Sequence, residues 1–433
     1  MPGNFVTRPT LASATVLASA VVIVYHNALS AYFFDDDFQW LVSSWAFRPS
    51  QLVAFGSLDH FYRPVLDVYF AVATPLFGGS PFLFHLASLA LHAANAMVVF
   101  AVARAVSWPE DGRGTPDVRF AFLTALLFAV QPADIDAVAW VGAIAEALGV
   151  CLGGLSLLLF LEWRRRGRPR SRVGSVVAYV LALLTHESSV VFLPVLAAAD
   201  WARRGKPSGR VYAPYLAATA AYLAIDVWIN SRNYVVSEGH YALGVHLVRN
   251  ALDYLTALYV GRHDLLNDAF IVVGIALLLA RGTRRVRFAT LWMLLALAPF
   301  LPFTWGNTSR YGYQSAIGFS MLLAAGLCGI DRALRRRLPH RASALVGAAL
   351  AAAVAVRFAV FATSNVERFA RDTQTYRAYL RDFRATHGDV ASGSTITLTG
   401  RLETLPPHRF LNAAVQWEYG DPTIQIAPYD TSP

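Results

Sequence analysis

Residues 25–38 read Tyr25-His26-Asn27-Ala28-Leu29-Ser30-Ala31-Tyr32-Phe33-Phe34-Asp35-Asp36-Asp37-Phe38. They follow an apolar run that starts at Leu11 and is long enough to span a bilayer. The run reaches Phe33 and then meets three carboxylates in succession. Adjacent like charges raise one another's pKa, so such a cluster is costly to assemble at a membrane surface. One acid is enough to cap a span. Three between aromatic residues favour chemistry or ion binding. Asp35, Asp36 and Asp37 are therefore the first candidates for catalysis. A carboxylate there can act as general base on a hydroxyl, or hold a divalent cation. No other cofactor is called for.

The rest of the chain supports the membrane reading. Of 433 residues, 56% are hydrophobic and only 15% charged. About a quarter are charged in an ordinary soluble domain. The net charge of +9 raises the question of nucleic acid. The arginines answer it, because they fall in short clusters between apolar runs, as in cytoplasmic loops. No nucleic-acid partner is expected. Cys151 and Cys328 both lie in apolar runs and suggest neither a disulfide framework nor a metal site. Abundant alanine, with Lys206 the single lysine, reads as a GC-rich bacterial genome and hence a bacterial inner membrane. The first apolar run shows no small-residue cleavage site and reads as a retained span.

Arg164-Arg165-Arg166-Gly167-Arg168 is the most basic loop and marks the cytoplasmic side. Counting outward and back from it predicts an all-α polytopic protein of about eleven spans. The N-terminus is then cytoplasmic and the C-terminus extracytoplasmic. Residues 1–364 form the membrane module, with a first outer loop over 34–80. Residues 365–433 change composition and predict a small α/β appendage. Its helices are expected over Val366–Arg384 and His408–Tyr419, and its strands over Thr395–Thr399 and Thr423–Ile426. The appendage is expected to shape acceptor access and to supply no catalytic residue.

Other polar groups gather near the predicted outer ends. Arg63, Arg310 and His186 are basic groups on the side where few are expected. Arginine suits bidentate phosphate binding, although each can equally pair with the nearby acids. Glu146 and Glu187 are such potential partners. Asp134 and Asp136 form a second acidic pair, readable also as a helix cap. His85, Ser88, His92 and Asn95 share one face of a predicted span. For His92 and Asn95, interhelical hydrogen bonding is the simpler reading. His85, nearer the surface, can line a site. No Walker loop, dinucleotide fingerprint or Cys/His metal spacing is present. A soluble nucleotide donor is thereby disfavoured, and a lipid-phosphate-linked donor fits. The competing class is a multi-span lipid flippase or ion-coupled transporter, which needs carboxylates near the midplane.

Several blocks together resemble the GT-C glycosyltransferases, specifically the transmembrane O-mannosyltransferases that carry tetratricopeptide repeats and their repeat-less bacterial relatives. In order they are Asp36-Asp37-Phe38, Tyr62-Arg63-Pro64, Phe84-His85 with His92 and Asn95, Phe128-Ala129-Val130-Gln131-Pro132 with Asp136-Ala137-Val138-Ala139-Trp140, Thr185-His186-Glu187 with Leu193-Pro194, and Arg310-Tyr311-Gly312-Tyr313 with Ile317-Gly318-Phe319. The resemblance implies inverting transfer of a sugar, a mannose-like hexose, from a polyprenyl-phosphate donor. The acceptor is a glycan, lipid or protein hydroxyl on the outer face. It implies Asp36 or a neighbouring Asp as base. Arg310, Arg63 and His186 would contact the donor phosphate, and Asp136, Asp134, Tyr62, His85, Glu187 and Tyr311 the substrates. Gln131-Pro132 stands where the family has His-Pro, and Thr185-His186-Glu187 where it has Ser-Lys-Glu.

Overall fold

The computed structural model describes residues 11–53, 61–107, 115–204, 209–231, 234–305, 309–398 and 406–428. Its helices are α1 (Leu11–Tyr25), α2 (Asp37–Trp45), α3 (Pro64–Phe77), α4 (Pro81–Val106), α5 (Val118–Ala129), α6 (Ile135–Ala139), α7 (Ile144–Arg166), α8 (Pro169–Leu183) and α9 (Phe192–Arg204). They continue with α10 (Gly209–Asn230), α11 (Tyr234–Ser237), α12 (His246–Ala257), α13 (Leu265–Arg281), α14 (Arg284–Leu297), α15 (Tyr313–Leu334), α16 (His340–His387) and α17 (His408–Tyr419). Two short strands, β1 (Thr395–Ile396) and β2 (Gln425–Ile426), pair in parallel.

Helix starts and stops follow local chemistry. Pro64, Pro81 and Pro169 occupy first-turn positions, where a missing N–H costs nothing. The side chains of Asp117, Asp264 and Thr283 accept hydrogen bonds from backbone N–H groups in the first turns of α5, α13 and α14. Helix α7 ends at Gly167, whose φ of 68° a side-chain-bearing residue adopts reluctantly. Arg164, Arg165 and Arg166 complement the dipole at that end.

Among the described residues, five helical stretches are long and apolar enough to cross a membrane: Leu11–Ser30, Pro81–Val106, Ile144–Arg166, Arg310–Leu334 and His340–His387. The pair Val118–Ala129 and Pro132–Ala139, bent by 52°, makes a sixth if counted as one span. The expectation of about eleven also counts α8, α9, α10, α13 and α14; α8, α9, α13 and α14, at 15, 13, 17 and 14 residues, fall short of the roughly 20 that a full crossing requires, and α10, with 22, is not among the sufficiently apolar stretches.

Close packing fixes the bundle. A Cβ on Gly318 of α15 would lie 2.5 Å from the Ala289 carbonyl oxygen and 2.6 Å from the Met293 nitrogen of α14. Only glycine permits that approach, the small-residue contact that membrane helices favour. Helices α7 and α8 exchange reciprocal bonds, Ser156 Oγ to the Ser175 carbonyl at 2.8 Å and Ser175 Oγ to the Ser156 carbonyl at 2.7 Å. His92 and Asn95 of α4 meet the Tyr313 hydroxyl of α15 at 2.9 and 3.0 Å, the interhelical bonding anticipated for them.

The first outer segment is largely helical, containing α2 and α3. The C-terminal region differs from expectation in one respect. The last span and the first tail helix are a single 48-residue helix, α16, so the anticipated boundary at 364/365 falls inside it. The change from apolar to charged residues along this helix does not interrupt its backbone hydrogen bonding. Helix α17 and the strand pair fold back on it. Leu380, Leu411, Ala414 and Ile424 share a buried cluster with Phe33, Phe38 and Phe84. Trp417 stacks on Trp45 at 5.3 Å and meets Phe33 edge-on at 5.8 Å. The tail thus packs directly against the acidic turn.

Candidate active site

Four breaks in the helical order converge on one cavity. They are the acidic turn 34–37, the entry to α3 at 61–63, the bend 140–143 between α6 and α7, and the break 184–188 between α8 and α9. Residues 300–305 and 309–311, before α15, close the ring. Asp36, Phe61, Arg63, Gly142, Glu146, His186, Glu187, Arg310 and Tyr311 all line the cavity. Sequence reasoning had named six of these as site residues, from four separate parts of the chain.

The three aspartates have different fates. Asp35 has a left-handed backbone with φ of 54°, which Asp tolerates better than most residues. Asp37 is buried and fully engaged. Its Oδ2 accepts from the Phe34 N–H at 2.8 Å and its Oδ1 from the Gly142 N–H at 2.5 Å. It therefore holds the turn closed. Asp36 faces the cavity, and its buried Oδ1 has no hydrogen-bond partner among the described residues. A Cβ on residue 142 would come within 2.7 Å of that oxygen, so Gly142 is what lets the bend pass beneath the acids. Burial raises the Asp36 carboxyl above the usual carboxylate range, against the opposing pull of Arg310 and Arg63. Burial, followed by the neighbouring Asp36 charge, pushes Asp35 up to about 7. These two groups titrate together.

Arg63 is committed to a carboxylate. Its Nε donates to Glu187 Oε2 at 3.0 Å and its Nη2 to Oε1 at 2.6 Å, a forked pair. Burial alone would raise the Glu187 carboxyl, but Arg63 with His186 overrides this and holds it at about 2. His186 is driven down to about 3 by burial and then by Arg63, so it is neutral. The Ser188 N–H donates to its Nδ1 at 3.2 Å, which puts the proton on Nε2. That Nε2 lies 3.3 Å from Glu146 Oε1, close but without hydrogen-bond alignment. Ser188 Oγ, which accepts from Gln314 Nε2 at 2.8 Å, lies 3.4 Å from Glu146 Oε2.

Arg310 is placed differently. Its guanidinium lies 4.6 Å above the Trp140 ring and 5.4 Å from the Tyr311 ring. A cation over an aromatic face is held without losing its charge to a carboxylate. Tyr311 stacks on Phe300 at 4.5 Å and on Phe303 at 5.2 Å, and Phe303 stacks on Trp305 at 4.7 Å. These rings form an aromatic wall opposite the acids. The free space between is about 50 Å³, against roughly 300 Å³ or more in ligand-bearing pockets. A bound sugar requires the wall or the arginines to give way.

Other anticipated residues lie elsewhere. Asp134 is fully buried in the bundle, with neither carboxyl oxygen hydrogen-bonded and His92 Nε2 at 4.0 Å. Asp136 lines a separate cavity beside α12 and α16, because the short α6 turns it away from the acids. Tyr62 donates its hydroxyl to the Leu52 carbonyl at 3.2 Å and does not line the cavity. His85 is buried and does not line the cavity. Among the described residues, no group of three or more His, Cys, Asp or Glu side chains is arranged to hold a metal ion. Glu146, Trp140, Phe300 and Phe303 were missed as site residues. For Glu146 the one available signal was a lone carboxylate inside an otherwise apolar run.

No protein-family model matches the chain. Over 167 residues it is 30% identical to the human protein O-mannosyl-transferase TMTC1, an alignment covering 35% of this chain and 18% of that protein. The mouse TMTC1 matches at the same identity, with 17% of its length covered. The chain thus spans under a fifth of the curated relatives it matches. In fold it is similar to ArnT from Cupriavidus metallidurans bound to undecaprenyl phosphate, at a TM-score of 0.56 and 14% identity, over 98% of this chain and 87% of that one. The apo form of ArnT superposes with a TM-score of 0.57 at 15% identity. The chain therefore shares the fold of ArnT and, over part of its length, resembles the TMTC O-mannosyltransferases in sequence.

Proposed function

We propose that this chain is an inverting glycosyltransferase that moves a mannose-like hexose from a polyprenyl-phosphate donor to an acceptor hydroxyl at the outer face of a bacterial inner membrane. The observation that carries this reading is the pairing of Asp36, whose buried Oδ1 lacks a hydrogen-bond partner among the described residues, with Arg310 across one cavity. A base and a phosphate-binding cation are the two groups the reaction needs. The acceptor oxygen attacks the anomeric carbon as its proton passes to Asp36. The bond from that carbon to the phosphate oxygen breaks, and the leaving phosphate takes up the electron pair. Arg310 stabilises the charge developing there, assisted by the Nε2–H of His186 and by Arg63. Tyr311 and its neighbours give the sugar ring an apolar face.

In this reading the shorter helices also traverse the bilayer, giving about eleven crossings by tilting or breaking. The N-terminus is then cytoplasmic, and the α/β tail lies outside over the cavity. ArnT, whose fold this chain shares, was crystallised with undecaprenyl phosphate, which supports a polyprenyl-phosphate partner here.

The test is reconstitution of the full chain in nanodiscs with polyprenyl-phosphate mannose and a mixed extract of bacterial glycans, lipids and proteins. Release of polyprenyl phosphate with labelled sugar on an acceptor is expected. Absence of release with each polyprenyl-phosphate hexose tried would sink the proposal. The transporter reading draws on Asp134, a buried carboxyl in the bundle without hydrogen-bond partners among the described residues. It would show instead as movement of intact lipid-linked sugar across vesicles without bond cleavage.

A further inference from the structure

Trp140 ends α6 with an extended backbone, φ −94° and ψ 121°, at the bend that carries Gly142. Its backbone N–H donates to the Asp136 carbonyl at 3.0 Å, and its carbonyl accepts from the Ala143 N–H at 3.2 Å. Phe34, next to the acids, meets its ring edge-on at 5.8 Å. The residue is thus held from the bend and from the acidic turn at once.

The indole offers two kinds of contact. The Arg310 guanidinium lies 4.6 Å above its face. Arg310 and Asp36 line one cavity, and among the described residues no ion pair joins them. A buried cation is drawn onto a nearby carboxylate unless something else holds it, and an aromatic face holds it with its charge intact. The edge of the indole carries its N–H. Trp140 Nε1 is buried and, like Asp36 Oδ1, has no aligned hydrogen-bond partner among the described residues. Burial raises the Asp36 carboxyl, and Arg310, Arg63 and then the Trp140 N–H pull it down. The indole N–H is therefore close enough to act on that carboxyl, but without the alignment of a finished hydrogen bond.

We propose that Trp140 is a positioning residue for both halves of the transfer, its ring seating Arg310 for the donor phosphate and its N–H completing a hydrogen bond to Asp36 once that carboxyl is ionised. This rests on the transferase reading above and gives Trp140 no contact with the reacting atoms. An ionised carboxylate attracts an N–H more strongly than a neutral acid does, so the bond tightens as the proton leaves and favours the base form. The other charged or titratable groups around Asp36 are Asp35 and Asp37 on its own turn, Arg63 and Arg310, and Glu146, His186 and Glu187 across the cavity, with Arg409 of α17 acting on Asp35. Replacing Trp140 leaves all of them in the chain, so a changed titration reads the indole.

The test uses the full chain in nanodiscs and two readouts that need no turnover. Infrared difference spectroscopy against pH follows the carboxylic C=O band that Asp36→Asn removes, and calorimetry measures binding of polyprenyl phosphate. Trp140→Phe keeps a ring face and loses the N–H. It should move the midpoint of the band to higher pH by about one pH unit, with binding within about threefold of wild type. Trp140→Leu loses the face as well and should weaken binding about tenfold. Tetrafluorotryptophan placed at position 140 keeps the shape and the N–H but drains the negative ring face. It should weaken binding as the leucine does, and it decides the matter should the leucine variant fail to fold. An unmoved midpoint in Trp140→Phe, or wild-type binding with the fluorinated ring, overturns the proposal. Wild-type protein that binds no polyprenyl phosphate counts against the transferase reading itself, and the midpoint alone then decides for Trp140.

Discussion

Asp37 Oδ1 accepts the backbone N–H of Gly142 at 2.5 Å, and this bond ties the acidic turn to the bend ahead of α7. Its neighbour Asp36 is thereby fixed over the cavity. Asp36 and Asp37 are adjacent in sequence yet suited to different tasks, and they should fail in different ways.

Asp36→Asn keeps the shape of the side chain and removes the proposed base. Sugar transfer should fall by roughly 10²–10⁴-fold with little change in thermal stability. Asp37→Asn should instead lower both, because one oxygen becomes an N–H₂ facing a backbone donor. Transfer rate and melting temperature measured on both variants separate the two. A fully active Asp36→Asn would remove that residue from the chemistry.

Gly142→Ala inserts a methyl carbon 2.7 Å from Asp36 Oδ1 and 3.1 Å from Asp37 Oδ1. The acidic turn must shift, so transfer should drop as far as in Asp36→Asn although no titratable group is lost. Gly142→Ala with wild-type transfer would mean the turn is far more pliable than its hydrogen bonds suggest.

Arg63 and Glu187 form a mostly buried forked pair, with 11% and 25% of their side chains exposed. Removing either partner alone should destabilise the protein by about 3 kcal/mol or more, since it strands a charge. The double variant Arg63→Gln/Glu187→Gln should cost clearly less than the sum. A double-mutant cycle by chemical denaturation in detergent measures this coupling, and strict additivity would contradict it. Arg310→Lys keeps the charge, and among the described residues Arg310 has no forked carboxylate pair to break. It should lose transfer through its missing second donor while stability stays near wild type.

Asp35 and Asp36 titrate upward of an ordinary carboxylate, Asp35 at about 7. Two consequences follow with opposite sign. Transfer should rise with pH as the raised Asp36 carboxyl gives up its proton. Stability should move the other way. The folded state binds protons more tightly than the unfolded chain between about 4 and 7, so the contribution of these groups declines as pH increases across that window. Replacing both by Asn should flatten that part of the stability profile. A rate that falls with pH over the same range would contradict the assignment of a carboxylate base.

Much of the cavity was readable before the fold was known, for a reason that particular residues make plain. Asp36, Arg63, His186 and Arg310 are charged or titratable groups at the ends of apolar runs, and run length alone fixes their depth. Depth does not fix direction around the helix axis. His85 and Asp136 have the anticipated depth and face elsewhere, the second because α6 is one short turn that no periodicity could orient. Glu146 was legible only as a potential ion-pair partner, because its apolar neighbours Ile144, Ala145 and Ala147 gave no sign that it lines the cavity. The continuity of α16 was hidden by its change of solvent, since a helix crossing from lipid to water alters composition without altering its backbone.

That continuity makes α16 a mechanical element. At about 1.5 Å per residue its 48 residues extend roughly 72 Å, more than twice the roughly 30 Å of the hydrocarbon layer. Its charged C-terminal part carries α17, and Trp417 of α17 packs on Phe33 and Trp45, on either side of the acidic turn. A tilt of about ten degrees at its base sweeps the far end by several ångströms. Any tilt of α16 would thereby be passed through Trp417 to the acidic turn.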